Sequence, residues 1–506
     1  MVARVLAAAP IGFDGSLIEV ETDAKAGLPS IQIIGLGNKS IDEAKERVRG
    51  AINNSYLDFP AKKVTINLAP AEIPKDGVHF DLPIALSILV ISGQLKQQEV
   101  DGALFAGELS LAGDVRPIKG AVNIVEIARK SGFSKVFVPV ANVRQASLVE
   151  GIDIFGIKNL KEIFLHLKGE AVLMPYRASE ALPKRLDLSG PFLDDVEGQE
   201  PAKRALTVAV AGRHNILLNG PPGAGKTMLA KTLSNLLPPL SSKEQIEVTK
   251  IHSIGGEIGD EVVTKRPFRA PHHTASPIAV IGGGNKPRPG EISLAHNGVL
   301  FLDELPEYPR STLESLRQPL EDRIVSIARV NGRIVYPADF MLVATMNPCP
   351  CGYLGDSAHE CSCNPGQISA YQKRLSGPLL DRIDIMIAVS RVSQDSLLLK
   401  KSLHKVQQLS SVKSINVARS KQLSRYKSST IYNTNAPSEL FKSVMELSVE
   451  AKSLLTTASK KLDLSARVYF KILRVARTIA DLEDSEKIEP VHVSEALQLR
   501  TSPNRY

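Results

Sequence analysis

The fold is decided by residues 215–237, whose sequence is NILLNGPPGAGKTMLAKTLSNLL. Residues 215–219 are apolar enough to form a buried strand, and 228–237 has the apolar spacing of a helix. Between them, 220–227 matches the pattern GxxxxGK(S/T), whose glycines let backbone N–H groups close around phosphate oxygens at a helix N-terminus. A chance turn rich in glycine and proline would not need a strand before it and a helix after it. The stretch therefore predicts a phosphate-binding loop in an α/β sheet.

Each residue of the phosphate-binding loop has an expected role. Lys226 is predicted to reach the β- and γ-phosphates of ATP, and Thr227 to offer its hydroxyl to Mg²⁺. The predicted nucleotide contacts are Gly220, Pro221, Pro222, Gly223, Ala224, Gly225, Lys226, Thr227 and Met228.

Two acids, Asp303 and Glu304, follow a second apolar run at 299–302. Ligands bind at the carboxyl ends of strands in parallel sheets, where these acids would project. Asp303 is predicted to hold Mg²⁺, and Glu304 to orient and deprotonate the attacking water. Taken alone, two adjacent acids could equally begin a helix. Together with the phosphate-binding loop they indicate ATP hydrolysis.

Three further polar residues complete the predicted hydrolysis site. The apolar run 340–346 ends at Asn347, whose side chain is expected to position water beside the γ-phosphate. Arg382 precedes another apolar run and is either a surface salt-bridge partner or, in a ring, the arginine finger for a neighbouring subunit's ATP. Arg467 begins a long helical pattern and is predicted to sense the γ-phosphate of ATP. That ATP is bound either to the same subunit or to a neighbouring one.

The 506 residues exceed one ordinary core, so two or three domains are expected. Residues 1–168 mix short apolar runs with amphipathic stretches, which is typical of an α/β or α+β domain, and 169–190 is predicted to be a linker. From 191 to 390, strand-like and helical patterns alternate as in a parallel nucleotide-binding sheet. Residues 391–506 are predicted to be a basic insertion followed by helices.

The net charge is +8, a mild bias toward polyanions that is concentrated in one stretch. Residues 391–430 contain one acid, Asp395, against nine lysines and arginines, and form either a solvated face or a nucleic-acid-binding arm. Those nine are Arg391, Lys400, Lys401, Lys405, Lys413, Arg419, Lys421, Arg425 and Lys427. The weak apolar start and the lack of any run of about eighteen apolar residues predict a cytoplasmic protein without a membrane partner.

All four cysteines, Cys349, Cys351, Cys361 and Cys363, lie on one short stretch. Two pairs of thiols match a tetrahedral four-cysteine Zn²⁺ site in ligand number and type, although one residue between the members of a pair is tighter than usual. His359 offers a substitute ligand. Reduced thiols or a redox disulfide are the alternatives, and a cytosolic setting disfavours the disulfide.

Two basic segments are candidate DNA contacts. Residues 281–289 are too rich in glycine and proline for a helix and carry Lys286 and Arg288. Residues 324–335 have the pattern of a hairpin with an Asn-Gly turn, and Arg329 and Arg333 lie near its tip. Each cation could also be ordinary surface charge.

The longer motifs resemble those of the YifB/ComM family of magnesium-chelatase-like AAA+ proteins. They are RPFRAPHHTAS at 266–276, PGEISLAHNGVLFLDEL at 289–305, NPCPCG at 347–352 and ARTIADL at 476–482. The resemblance covers essentially the whole chain and implies a Lon-protease-like N-terminal domain, an AAA+ core with helix-2 and presensor-1 insertions, and a chelatase-type helical lid. It also implies a homo-hexameric, ATP-driven branch-migration helicase acting on single-stranded and branched DNA in recombination and natural transformation.

The N-terminal domain departs from the Lon pattern where a protease needs its nucleophile. His79 stands at the position of the Lon serine, and Val122 at that of the catalytic lysine. Without a Ser–Lys dyad the domain is expected to be a scaffold or a DNA-binding collar. Two alternatives to a DNA motor remain: a chelatase motor subunit that powers metal insertion into a porphyrin, and an ATP-dependent protease or unfoldase, against which His79 and Val122 argue.

Overall fold

The computed structural model describes residues 2–35, 39–73, 75, 77–177, 190–259, 261–284, 288–329, 332–356, 358–391 and 406–500. For residues 39–42, 329 and 332 it describes the backbone alone. The architecture is the predicted mixed α/β one, in which a Lon-protease-like α+β domain precedes an AAA+ module with a helical lid.

The Lon-like domain is built on a seven-stranded mixed sheet. The strands of this domain are β1 (Val2–Ile11), β2 (Asp14–Lys25), β3 (Ser30–Ile34), β4 (Lys63–Ala69), β5 (Ala103–Phe105), β6 (Glu108–Leu109), β7 (Val115–Arg116), β8 (Lys135–Pro139) and β9 (Asp153–Ile157). Its helices are α1 (Lys39–Asn54), α2 (Asp81–Ile91), α3 (Gln97–Val100), α4 (Ala121–Lys130), α5 (Val143–Ala146) and α6 (Leu160–Leu167). The sheet order is β3-β4-β2-β1-β5-β8-β9, while β6 and β7 form a separate pair. α2 is apolar all round and is buried in the core.

The AAA+ core is built on a five-stranded parallel sheet. The strands of the core are β10 (Ile216–Asn219), β11 (Phe268–Arg269), β12 (Gly282–Gly283), β13 (Arg288–Pro289), β14 (Val299–Leu302), β15 (Ile324–Arg329), β16 (Gly332–Pro337), β17 (Met341–Met346) and β18 (Ile385–Ala388). Two pairs of these strands, β12 with β13 and β15 with β16, form separate hairpins outside the sheet. Its helices are α7 (Glu200–Gly212), α8 (Lys226–Leu236), α9 (Ser242–Gly255), α10 (Pro277–Ile281), α11 (Glu291–Leu294), α12 (Arg310–Ser315), α13 (Arg317–Asp322), α14 (Pro365–Gln372) and α15 (Gly377–Leu380). The sheet order is β11-β14-β17-β10-β18. Every residue of β10, β14 and β17 is buried, as expected for a parallel sheet covered on both faces.

The lid consists of α16 (Val406–Tyr426), α17 (Ser438–Val444), α18 (Val449–Lys461), α19 (Ala466–Leu482) and α20 (Pro490–Gln498). A buried ionic network holds three of its segments together. Asp481 is fully buried and accepts hydrogen bonds from Arg425 at 2.9 Å, from Arg477 at 3.1 Å and from Asn433 at 2.9 Å. Because a buried charge is stable only when paired, this carboxylate fixes α16 against α19.

The Lon-like domain contacts the AAA+ core through α4 and α9. The Lys250 ammonium lies 2.5 Å from the Glu126 carboxylate and 3.7 Å from the centre of the Phe13 ring. The backbone N–H of Gly120 donates to the Ser253 hydroxyl at 2.9 Å. Since Glu126 lies in α4 and both Lys250 and Ser253 lie in α9, these two helices form part of the contact between the domains.

Candidate nucleotide site

The phosphate-binding loop joins the end of β10 to the start of α8. Gly223 and Gly225 have φ angles of +78° and +81°, a region that glycine adopts without strain. Because α8 begins at Lys226, the positive end of its dipole lies at the loop. The local structure therefore has the form that anion binding requires.

Lys226 lies within this loop and contacts three oxygen atoms. Its ammonium donates to the Gly220 carbonyl at 2.5 Å, to the Pro221 carbonyl at 2.8 Å and to Oδ1 of Asn347 at 3.0 Å. Burial lowers the pKa of Lys226 to about 8, against the opposing effect of the nearby carboxylates of Asp303 and Glu304. A phosphate group would replace these weaker acceptors and favour the charged ammonium.

Asp303 is held between two hydroxyl groups. Thr227 Oγ1 donates to Asp303 Oδ2 at 3.0 Å, and Thr345 Oγ1 donates to Asp303 Oδ1. The Thr345 hydroxyl also accepts the backbone N–H of Glu304 at 3.0 Å, where Glu304 has a φ of +54°. A hydroxyl and a carboxylate oxygen so close together are ligand types that Mg²⁺ prefers, so Thr227 and Asp303 fit the ion.

The sheet order explains why residues far apart in sequence meet at this site. β17 lies between β10 and β14, and all three strands are parallel, so their carboxyl ends lie at one edge. Lys226, Thr227, Asp303, Glu304 and Asn347 are thereby joined in one set of contacts. Thr345, whose hydroxyl contacts Asp303 and the backbone of Glu304, was not predicted from the sequence. The available signal was its position two residues before Asn347, because side chains two residues apart in a strand lie on the same face.

The two predicted arginines lie elsewhere. Arg382 and Arg467 pair with the two oxygens of a single carboxylate, that of Glu321, and the Arg467 distance is 3.0 Å. The Arg382 carbonyl accepts the Asn215 side-chain amide at 3.0 Å, and Asn215 immediately precedes β10. This places the arginine pair at the amino end of a strand whose carboxyl end, about 13 Å away, leads into the phosphate-binding loop. The structure therefore brings the two arginines to each other and not to the phosphate-binding loop of the same chain.

The four cysteines converge on one point. Their sulfur atoms all lie within 4.8 Å of one another, with Cys349 at 3.3 Å from Cys351 and at 3.6 Å from Cys361. Sulfur atoms that share a tetrahedral Zn²⁺ are separated by about 3.8 Å, so the donor set fits that ion. His359 is not in the cluster: its ring stacks on Tyr353 with centroids 4.9 Å apart.

The structure describes part of the predicted DNA contacts. Lys286 and the side chain of Arg329 lie outside the described residues, while Arg288 and Arg333 are exposed. Nε of Arg333 donates to the Ser326 hydroxyl at 2.5 Å across the β15–β16 hairpin. A Cβ placed on Gly282 would lie 3.3 Å from Cδ1 of Ile327, so the β12–β13 and β15–β16 hairpins touch. Arg288 and Arg333 therefore belong to two adjoining hairpins.

The positions that a Lon protease would use for catalysis are buried. His79 is 5% exposed and its ring lies 4.2 Å from that of Phe80, tilted by 37°, and Val122 is completely buried in α4. Within the described ranges, no helix is both long enough and apolar enough to cross a membrane.

Three family models match successive parts of the chain. The model for subunit ChlI of Mg-chelatase matches residues 20–142, that for magnesium chelatase, subunit ChlI, matches 192–397, and that for the ChlI C-terminal region matches 409–500. Competence protein ComM of Haemophilus influenzae is 40% identical over 507 aligned positions, which cover 98% of this chain and 97% of ComM. Uncharacterized protein YifB of Escherichia coli is 40% identical over 494 residues, covering 97% of this chain and 96% of YifB. Lon protease 2 of Bacillus subtilis is 30% identical over 169 aligned positions, which cover 29% of this chain and 30% of that protease.

Proposed function

The chain belongs to the magnesium chelatase ChlI-like family that includes ComM and YifB, and from that premise we propose that it is an ATP-driven DNA motor. Membership of this AAA+ family suggests ATPase activity. The observation that carries the ATPase proposal is the meeting of Lys226, Asp303, Glu304 and Asn347 at the carboxyl edge of one parallel sheet.

Each residue at this edge has a separate task in the proposed hydrolysis. Lys226 binds and neutralises the phosphates, while Thr227 and Asp303 hold Mg²⁺, which would balance the charge on the β- and γ-oxygens. Glu304 orients the attacking water and accepts its proton. Thr345 fixes the Asp303 carboxylate and the Glu304 backbone at once, so that the metal ligand and the base keep a constant separation.

Arg382 and Arg467 are proposed to act on the nucleotide of a neighbouring subunit. They share the carboxylate of Glu321, so their guanidinium groups lie close together and one external anion bound in its place would contact both. A neighbour's γ-phosphate carries more negative charge than Glu321 and would compete for both guanidinium groups. This arrangement needs a ring or filament of like subunits, and we propose the homo-hexamer that the family resemblance implies.

The DNA-motor proposal is supported by the ComM relative, which is named a competence protein, and by the adjoining hairpins with Arg288 and Arg333. Small basic hairpins that contact phosphates move with the ATP site and grip single-stranded or branched DNA without reading sequence. Branch migration in recombination and natural transformation is the proposed outcome.

DNA-stimulated ATP hydrolysis tests this proposal. Single-stranded and four-way-junction DNA should raise turnover, and the effect should fall steeply with salt. Arg333→Ala should keep basal turnover but lose the stimulation, whereas Arg333→Lys should retain it because a phosphate contact needs only the charge. If DNA does not change turnover but a porphyrin with Mg²⁺ raises it, the result would support the chelatase alternative. Turnover that is raised by an unfolded protein and not by DNA would support the unfoldase alternative.

Zinc is the metal that we propose for the cysteine cluster, and its role would be structural because all four ligands come from the protein. Protein purified under reducing conditions and without chelators should contain about one zinc ion per chain. Metal analysis that finds none would exclude the site.

We also propose a Lon-like domain at 1–168, a linker at 169–190, the AAA+ core at 191–390, and a basic insertion with the lid at 391–506. Limited proteolysis should therefore cut first between 169 and 190. Resistance of that segment, with cuts elsewhere, would require other boundaries.

A further inference from the structure

The turn that follows the first cysteine pair is pressed against the phosphate-binding loop. Gly352 comes directly after Cys351 and has a φ of +87°. A Cβ on Gly352 would lie only 2.7 Å from Cδ of Pro222, the third residue of the phosphate-binding loop. The two loops are therefore in direct van der Waals contact, and only glycine leaves room for it.

Arg391 makes a second connection between the same two loops. Its guanidinium donates to the Pro222 carbonyl at 3.4 Å and lies 3.2 Å from the carboxylate of Asp356, which is almost completely buried. It also lies 5.7 Å from the centre of the Tyr353 ring. Asp356 and Tyr353 both belong to the stretch between the two cysteine pairs, so this stretch positions Arg391 on Pro222.

The chain itself makes the third connection. Asn347, which accepts a hydrogen bond from Lys226 at 3.0 Å, is separated from Cys349 by Pro348 alone. The Pro348 carbonyl accepts the side-chain amide of Gln372 in α14 at 3.2 Å. Movement of Cys349 would consequently be passed to Asn347 over a short, fixed segment.

We infer that the metal-bound cysteine cluster is a positioning element of the ATP site. By joining Cys349 and Cys351 to Cys361 and Cys363, the metal would hold residues 349–363 together as a closed loop. This loop contacts Pro222 through Gly352 and is joined to Asn347 through Pro348. Loss of the metal would leave four thiols that no longer hold the loop together, and the phosphate-binding loop would lose both supports. This inference rests on the proposed ATPase function and adds to it a dependence of turnover on metal occupancy.

The first experiment removes the metal reversibly from the full-length protein. Zinc is extracted with a mercurial reagent and a colorimetric chelator, the thiols are restored with dithiothreitol, and zinc alone is added back. Zinc content, binding of a fluorescent ATP analogue and kcat are measured at each stage. We expect kcat to fall about tenfold to a hundredfold on extraction, because a small misplacement of catalytic groups has that effect, and to recover when zinc is returned.

The second experiment breaks the contact and keeps the metal. Gly352→Ala should retain zinc but lower kcat and ATP-analogue binding, and added zinc should not restore either. Gly132→Ala is the matched control: Gly132 has a φ of +83° but no atom within 4 Å of its Cβ position, so it reports backbone strain alone. Cys361→Ser with Cys363→Ser should lose zinc and reproduce the low kcat, and a thermal melt verifies that the chain is folded.

Several outcomes would overturn the inference. They are full turnover after zinc extraction, parental kinetics in Gly352→Ala with zinc bound, or parental protein that hydrolyses ATP but contains no zinc. A parental protein that contains zinc and hydrolyses no ATP would instead refute the proposed ATPase. In that case ATP-analogue binding would still show whether the cysteine cluster supports the phosphate-binding loop.

Discussion

The charge of Lys226 makes nucleotide binding depend on pH in a range where most lysines do not titrate. Burial lowers the pKa of this ammonium to about 8 in the free protein. A bound triphosphate stabilises the charged form, so the pKa in the complex is higher than in the free protein. Well below pH 8 both states are protonated and affinity is constant. Above pH 8 binding must take up a proton, so affinity falls as pH rises.

The size of the effect follows from the pKa. With a pKa of about 8, roughly one free molecule in eleven carries the charge on Lys226 at pH 9. The affinity for nucleotide should therefore be about tenfold lower at pH 9 than at pH 7, which is a loss of about 1.4 kcal/mol in the free energy of binding. The phosphates of the nucleotide are already ionised over most of this range and contribute little.

Calorimetric titration with a non-hydrolysable ATP analogue and Mg²⁺ at pH 7, 8 and 9, at constant ionic strength, measures this directly. Lys226→Arg is the control, because a guanidinium stays charged at all three values and should remove the slope whatever it does to the absolute affinity. An affinity of the parental protein that is flat from pH 7 to 9, or an equal decline in Lys226→Arg, would refute the reasoning.

Four further predictions concern hydrolysis, assembly, DNA and stability. Glu304→Gln should bind nucleotide like the parental protein but lose turnover, since only water activation is removed; loss of binding would make Glu304 a metal ligand or structural residue. Mixing Arg382→Ala with Lys226→Ala subunits should restore part of the ATPase activity, and no recovery in mixed rings would contradict action across an interface. Arg333→Ala should slow branch migration of a four-way junction, and a parental rate would show that force is transmitted elsewhere. Asp481→Ala leaves the guanidinium groups of the buried Arg477 and the partly buried Arg425 poorly compensated and should reduce the free energy of unfolding in urea by about 3–5 kcal/mol; a change below about 1 kcal/mol would show that the lid network is dispensable.

Local patterns were sufficient to predict the strand, loop and helix of the candidate nucleotide site because these parts are encoded in short stretches. The strand, glycine loop and helix of 215–237 became β10, the phosphate-binding loop and α8, and Asp303 and Asn347 each end a buried strand. The parallel arrangement of these strands then follows from the alternation of strands and helices. The mixed α/β architecture and the family were both confirmed.

The sequence by itself determined which residues are candidates for the chemistry: the lysine, the acids, the arginines and the four cysteines. Tertiary structure alone decided which of them meet. Thr345 joins Asp303 to Glu304 only because β17 lies beside β14. Glu321 pairs with Arg382 and Arg467 only because α13, the segment before β18 and the lid lie next to one another. The contact of Gly352 with Pro222 has the same origin. Periodicity and motif spacing report on neighbours within a few residues, whereas these contacts join segments far apart in sequence, and their geometry is fixed by the packing of strands and helices around a common core.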